Sequence, residues 1–191
     1  PKENRKFVYQ LVRPGARARE YEDAILWLEQ AGLVNKVLLS KAPKLPLKAY
    51  DDLGTFKLYT LDLGVLRKLS ELDASILLLP TPAYTEYKGA LAENYILQSL
   101  TAQFQMPFRY WTSGNKAEVD FLLQYINQIY PIEVKADQNI QGKSLIQYEK
   151  LFQPACRIRY SMLNLKQDGN LLNIPLFLAD KTRELLGVIN V

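Results

Sequence analysis

Histidine is absent from the 191 residues, and cysteine occurs once, as Cys156. A chain with no imidazole and one thiol cannot assemble a zinc site of the usual His and Cys ligands. Any metal would have to sit among carboxylates, which favours Mg²⁺ or Mn²⁺. A lone cysteine also excludes an intrachain disulfide and fits a reducing, cytoplasmic compartment. No apolar run reaches the roughly 20 residues of a membrane helix, and the run at 76–79 stops at Pro80. The N-terminus has no signal-peptide core, because 1–6 is polar and 7–12 is short and mixed. Gly-x-x-x-x-Gly-Lys-Ser/Thr does not occur, so the chain is not expected to bind or hydrolyse ATP by itself. Internal repeats and low-complexity tracts are missing too. The first residue is Pro1 rather than Met, from which we expect a piece of a longer protein.

The composition, 48% apolar and 23% charged, is that of a globular chain able to bury a core in one or two domains. A net charge of +4 allows an acidic partner such as nucleic acid, but the excess is too small to require one.

The most informative stretch is 118–136, Glu-Val-Asp-Phe-Leu-Leu-Gln-Tyr-Ile-Asn-Gln-Ile-Tyr-Pro-Ile-Glu-Val-Lys-Ala. It reads as two apolar strands around a polar turn at Asn127 and Gln128. Asp120 interrupts the first strand, and Glu133 and Lys135 the second. Side chains alternate along a strand, so Glu133 and Lys135 share a face and Val134 takes the other. With Ile126 opposite Ile129, Asp120 falls opposite Lys135 and diagonal to Glu133. Diagonal positions lie about 7–8 Å apart, a gap that two carboxylates can span with a divalent cation between them. The plainer reading pairs Asp120 with Lys135 as a cross-strand ion pair and leaves Glu133 solvated. Glu-x-Lys alone is weak, since Glu86-Tyr87-Lys88 repeats it in a different setting.

Upstream, apolar residues at helical spacing predict a helix over 17–33, with Gly32 at its C-cap. Strands follow at 33–39 and 56–61, separated by an exposed loop at 41–50, and Asp62 caps a helix through 72. Helix, strand, loop, strand, helix is compatible with a winged helix. Its basic residues Arg13, Arg17, Arg19, Lys36, Lys41, Lys44 and Lys48 are placed to touch phosphates. Glu20, Glu22, Asp23 and Glu29 dilute that charge and leave open a module that only links protein domains. The boundary falls near 73–85, giving modules 1–75 and 76–191.

Beyond it, Thr85 caps a helix to about 104. On this helix Glu93 shares a stripe with Ala90, Leu97, Leu100 and Phe104 and so points inward. A buried carboxylate is costly unless paired or bound to a cation, so Glu93 either joins Asp120 and Glu133 or pairs with Lys88 or Lys135. A short aromatic strand at 107–112, the central hairpin, an amphipathic helix at 143–152 and strands at 156–163 and 174–178 complete the chain. Tyr110, Trp111 and Tyr148 are either base-stacking residues or core.

An acid on one strand followed by Glu-x-Lys on the next resembles the PD-(D/E)XK nuclease superfamily. That resemblance implies two carboxylates holding Mg²⁺, a lysine that helps to activate water, and an acid from the first helix joining them. The order helix, three strands, helix, strand is that of its core. The resemblance extends along the chain, through Arg17-Ala-Arg-Glu-Tyr-Glu-Asp-Ala-Ile-Leu-Trp-Leu-Glu-Gln-Ala-Gly-Leu, Leu45-Pro-Leu-Lys, Phe56-Lys-Leu-Tyr-Thr-Leu-Asp-Leu-Gly-Val-Leu, Lys88-Gly-Ala-Leu-Ala-Glu-Asn, Val119-Asp-Phe and Ile132-Glu-Val-Lys. In this order the motifs are similar to the C-terminal half of prokaryotic AAA+ ATPases that end in the domain of unknown function 4143. The expected fold is therefore α/β (α+β), a winged-helix-like module followed by a restriction-endonuclease-like domain, with the ATP-binding P-loop module lying N-terminal to both. Glu93, Asp120, Glu133 and Lys135 match the nuclease-type positions, the three acids as metal ligands.

Two functions follow as expectations. In one, the domain is a Mg²⁺- or Mn²⁺-dependent nuclease; in the other, a non-catalytic module docks nucleic acid or protein for the attached ATPase, either as a monomer or as a homo-oligomer.

Overall fold

The computed structural model describes residues 6–7, 18–71, 82–114, 117–136 and 142–189. The first helix, α1 (Ala18–Gln30), ends where Gly32 takes φ +70°, with Gly32 N–H donating to Glu29 O and Leu33 N–H to Leu28 O. This is the glycine-terminated cap expected there. Strands β1 (Val34–Ser40) and β2 (Asp51–Thr60) form an antiparallel hairpin. Its connection includes a short 3-10 helix, Leu47–Tyr50, whose Leu47 is buried, so the loop expected to be wholly exposed carries a core residue. Asp62 caps α2 (Leu63–Leu69) by accepting from Val65 N–H at 2.8 Å.

After α3 (Pro82–Phe104) come β3 (Arg109–Thr112), β4 (Glu118–Tyr125), β5 (Gln128–Val134), α4 (Lys143–Phe152) and β6 (Arg157–Ser161). This is the expected helix, three strands, helix, strand. The chain then adds β7 (Lys166–Asp168), β8 (Leu171–Pro175), a 3-10 helix at Leu176–Lys181 and α5 (Thr182–Ile189). The strand expected at 174–178 lies earlier, as β8, because 176–178 turn into the 3-10 helix; β7, that helix and α5 are additions to the expected order.

All eight strands belong to one sheet, in the order β2-β1-β3-β4-β5-β6-β8-β7. The N-terminal hairpin is part of it: β1 runs parallel to β3, with Leu38 opposite Arg109 and Leu39 opposite Tyr110. A hairpin expected to project as a wing is therefore built into the sheet's edge. One face buries Ile96, Leu97 and Leu100 of α3 and Leu186 of α5 against Tyr59, Phe121, Tyr130, Ile132 and Ile158. The other packs Leu145 and Tyr148 of α4 against Trp111, Val119 and Leu122. Trp111, Tyr148 and Phe152 meet edge-on or tilted, with centroids 4.8–5.4 Å apart, and Trp111 and Tyr148 are core residues rather than an exposed stacking platform.

The boundary expected near 73–85 lies mostly outside the described residues, as do Arg13 and Arg17 and the side chains of Arg19 and Thr85. No helix among the described residues is long and apolar enough to cross a membrane.

Candidate active site

The β4–β5 hairpin turns one residue earlier than expected. Tyr125 pairs with Gln128, and the turn residues Ile126 and Asn127 both have positive φ, +44° and +54°. The ladder runs inward to the pair Phe121–Ile132. Continued by one residue, this register brings Asp120 level with Glu133, not Lys135. On the other side, Arg109 and Trp111 of β3 face Leu122 and Val119 of β4, so β4 carries one extra residue between Val119 and Leu122. Such a bulge re-aims the side chain at the irregularity. Asp120 sits in it, and its Oδ2 accepts from Val134 N–H at 2.7 Å. A backbone N–H lies near the plane of the sheet, so the carboxylate stands at the end of the β4–β5 ladder, between the two faces.

On the α3 side lies Glu93, which acts on Asp120 by charge. The inward stripe holds: Ala90, Leu97 and Leu100 are buried, and so is Glu93. The Tyr59 hydroxyl donates to Glu93 Oε2 at 3.0 Å. Burial, and then Glu93, push the Tyr59 phenol well above its ordinary value, so it stays a donor. The Asp120 carboxyl is also pushed well above its ordinary 3.8, by burial first and then by Glu93, with Glu133 adding a smaller push; Lys57 and the Val134 N–H act against this.

Lys57 of β2 is only 1% exposed. Its ammonium donates to Glu118 Oε1 and lies 5.1 Å from the centre of the Tyr110 ring. Burial works against its charge, yet Asp120, Glu93 and Glu118 outweigh it and hold the pKa above the usual lysine value.

Glu133 and Lys135 share a face, as alternation required, and form an ion pair of 3.1 Å. Ile132 and Val134 face the α3 side of the sheet, so Glu133 faces the other. Beside it on β6 stands its register partner Arg159, whose Nε donates to Asn173 Oδ1 at 3.0 Å. The Glu133 side chain is 2% exposed and its Oε2 has no hydrogen-bond partner, a lack found in no other buried side-chain oxygen or nitrogen among the described residues.

The four expected residues thus converge around the end of the β4–β5 ladder, Glu93 and Asp120 on one side, Glu133 and Lys135 on the other. Among the described residues no group of three or more His, Cys, Asp or Glu side chains stands close enough to hold a metal ion. The donors do not form a three-carboxylate cage. Asp120 and Glu133 are the carboxylates that could serve the other common arrangement, in which Mg²⁺ takes one or two carboxylates and completes its shell with water and phosphate.

Sequence reasoning missed Lys57, Tyr59 and Glu118. A signal existed, because Lys57 interrupts the apolar strand around Phe56 and shares a face with Tyr59. Next to the site, a cleft of about 410 Å³ runs between α2, α3 and the end of β5, bordered by Arg67, Lys88, Ala92, Tyr95 and Ala136.

Fold and site together define a mixed α/β domain with buried carboxylates, one buried lysine and one partly exposed lysine gathered where two central strands part. Residues 88–177 match the model of a family described as domain of unknown function (DUF4143), the family to which the sequence motifs pointed. Residues 2–76 match a second family, also described as a domain of unknown function (DUF8612). No curated protein and no solved structure matches the chain.

Proposed function

We propose that the chain is a Mg²⁺- or Mn²⁺-dependent nuclease-like domain of restriction-endonuclease type, acting on phosphodiesters of nucleic acid as the C-terminal part of an AAA+ ATPase. The observation that carries this reading is Glu133 Oε2, a buried carboxylate oxygen with no hydrogen-bond partner beside a partly exposed lysine. A buried acceptor left unsatisfied is costly, and in a native protein it calls for an ion or water. Asp120 and Glu133 would hold the ion. When bound, it supplies charge to phosphate oxygens and lowers the pKa of water.

The chain's own residues do the rest. Val134 N–H fixes the Asp120 carboxylate. Glu93 acts on Asp120 by charge and is itself oriented by Tyr59. Lys135, one-third exposed and held by Glu133, presents its ammonium to the attacking water or the phosphate. Arg67 and Lys88 at the rim of the neighbouring cleft, with the exposed Lys41, Lys44 and Lys48, suit contacts to the nucleic-acid backbone. In the N-terminal part, α1-β1-β2-α2 keeps the element order of a winged helix with its hairpin embedded in the sheet.

The test is cleavage of labelled DNA and RNA in Mn²⁺ or Mg²⁺ by the chain and by Asp120→Ala prepared identically. The expected outcome is metal-dependent cutting that falls at least about 100-fold in the variant. Equal cutting by both would remove Asp120 from the chemistry.

A second reading rests on Lys57, which already gives the acids a counter-charge. Here the domain binds nucleic acid or a partner for the ATPase without catalysis. Salt-dependent binding that persists in EDTA, with no cleavage even by the full ATPase supplied with ATP, would favour it.

A further inference from the structure

Glu133, Arg159 and Asn173 stand in one row across three neighbouring strands, β5, β6 and β8: Glu133 is the register partner of Arg159, and Arg159 that of Asn173. The flanking residues Ile132, Val134, Ile158, Tyr160, Leu172 and Ile174 face α3, so all three point to the other side of the sheet. Neighbouring strands lie about 4.8 Å apart, which brings a guanidinium on β6 within reach of the Glu133 carboxylate. Guanidinium and carboxylate make one of the strongest hydrogen-bonded pairs a protein offers. Yet Glu133 Oε2 is buried with no hydrogen-bond partner. Arg159 instead donates from Nε to Asn173 Oδ1 at 3.0 Å, on the far side of β6 from Glu133.

Asn173 is 4% exposed and uses its whole amide. Nδ2 donates to Leu163 O at 3.3 Å and to Asn164 O at 2.9 Å, and Oδ1 accepts from Ser161 Oγ at 2.8 Å as well as from Arg159. Two carbonyls can only accept, so the amide has one orientation, and that orientation aims Oδ1 at Arg159. Packing does not impose this place on the guanidinium, because Arg159 and Asn173 border a cavity of about 370 Å³.

We infer that Asn173 is a positioning residue of the site: it holds Arg159 toward β8, off the Glu133 carboxylate, and so keeps Oε2 open to a cation. The inference deepens the reading above and rests on it only for what takes that oxygen. The competition of Asn173 and Glu133 for Arg159 is a property of the chain alone. It accounts for a buried acid that stays unsatisfied one strand away from an arginine, and it extends the site from the β4–β5 ladder to β8.

Mn²⁺ binding to the whole chain, followed by electron paramagnetic resonance of the free ion, tests this in a double-mutant cycle. Asn173→Ala should weaken Mn²⁺ binding about 10–100-fold, because the released guanidinium competes for Oε2 through a charge-assisted bond. In an Arg159→Met background, which keeps an apolar stem without the guanidinium, the same substitution should cost under about 3-fold. An equal cost in both backgrounds, or none in either, overturns the inference. A second cycle needs no metal. In EDTA, the coupling of Arg159→Met with Glu133→Gln, read from urea unfolding, should be at least about 10-fold larger in Asn173→Ala than with Asn173 present. Coupling of the same size with and without Asn173 overturns the inference. If the parent binds no Mn²⁺ while this second cycle behaves as expected, the role of Asn173 stands and the cation reading fails, so the two can fail separately. If Asn173→Ala does not fold, NMR of the parent decides. Exchange of the Arg159 Nε proton should be at least about 10-fold slower than that of the half-buried Arg67, and Glu133→Gln should leave it unchanged. Equal exchange at the two arginines, or slowing that Glu133→Gln removes, overturns the inference.

Discussion

Two buried cations tie the N-terminal hairpin to the strands that follow, and they do so in opposite ways. Arg109 of β3 grips Asp51 of β2 through two bonds of 2.9 Å, from Nε and Nη2, and gives Nη1 to Pro107 O at 2.8 Å. Both side chains are more than nine-tenths buried, and charge matches charge one for one. Lys57, also on β2, is one ammonium set against Glu93, Asp120 and Glu118, with Asp120's pKa raised and an orphaned oxygen nearby on Glu133. The first arrangement is closed, since a planar guanidinium meets a carboxylate in a fixed fork. The second is unbalanced at Asp120, where burial and the charge of Glu93 outweigh Lys57 and the Val134 N–H. Strain of this kind is tolerated where it serves a site and is removed elsewhere.

The largest effect should come from breaking the closed pair. Arg109→Ala leaves Asp51 buried without a partner and should cost about 3–5 kcal/mol in urea denaturation. A cost under about 1 kcal/mol would show that this pair does not hold the two segments together.

Neutralising a member of the unbalanced cluster should have the opposite sign. Asp120's pKa is higher in the folded chain than its ordinary 3.8, so folding favours its protonated form. That contribution is fully present below the unfolded value and is lost as pH rises through the folded one. Asp120→Asn, whose amide oxygen can still accept from Val134 N–H, should therefore match its parent in stability near pH 4. By pH 8 it should be the more stable by roughly 0.5–2 kcal/mol. Melting curves across that range check this, and a parallel pH profile for the two proteins would mean that Asp120 is an ordinary ionised carboxylate.

The smallest change serves as a control at the far end of the same hairpin. Ile126 is exposed, β-branched and held at φ +44°. Ile126→Asn should stabilise the chain by about 1 kcal/mol at every pH, because Asn tolerates the left-handed region that a β-branched residue resists. A pH-dependent response would tie the turn to the acid cluster.

Some of this architecture was legible in the residues. The stripe on α3 pointed Glu93 inward, alternation put Glu133 and Lys135 on one face, and Asp62 and Gly32 marked helix ends, because each depends on neighbours a few positions away. The β7 strand is three exposed polar residues without alternation, and it forms only because β8 offers an edge. For α5, eight residues carry too little periodicity to predict a helix, and it is held by burial of Leu186. The hairpin register was missed by one turn residue because polar Asn127 and Gln128 made the better local turn. The structure instead satisfies Val134 N–H with Asp120, which no local rule could weigh.

By itself, then, the sequence determined the order of elements, the absence of His-based chemistry and four of the charged residues at the site. Only the tertiary structure decided that β1 would run alongside β3, and with it that Lys57 and Tyr59 would reach the acids. Local propensity and spacing are properties of short windows of chain. The charge balance of a buried site depends on groups far apart in the chain, 34 positions for Tyr59–Glu93 and 61 for Lys57–Glu118, and it exists only once the sheet has closed between them.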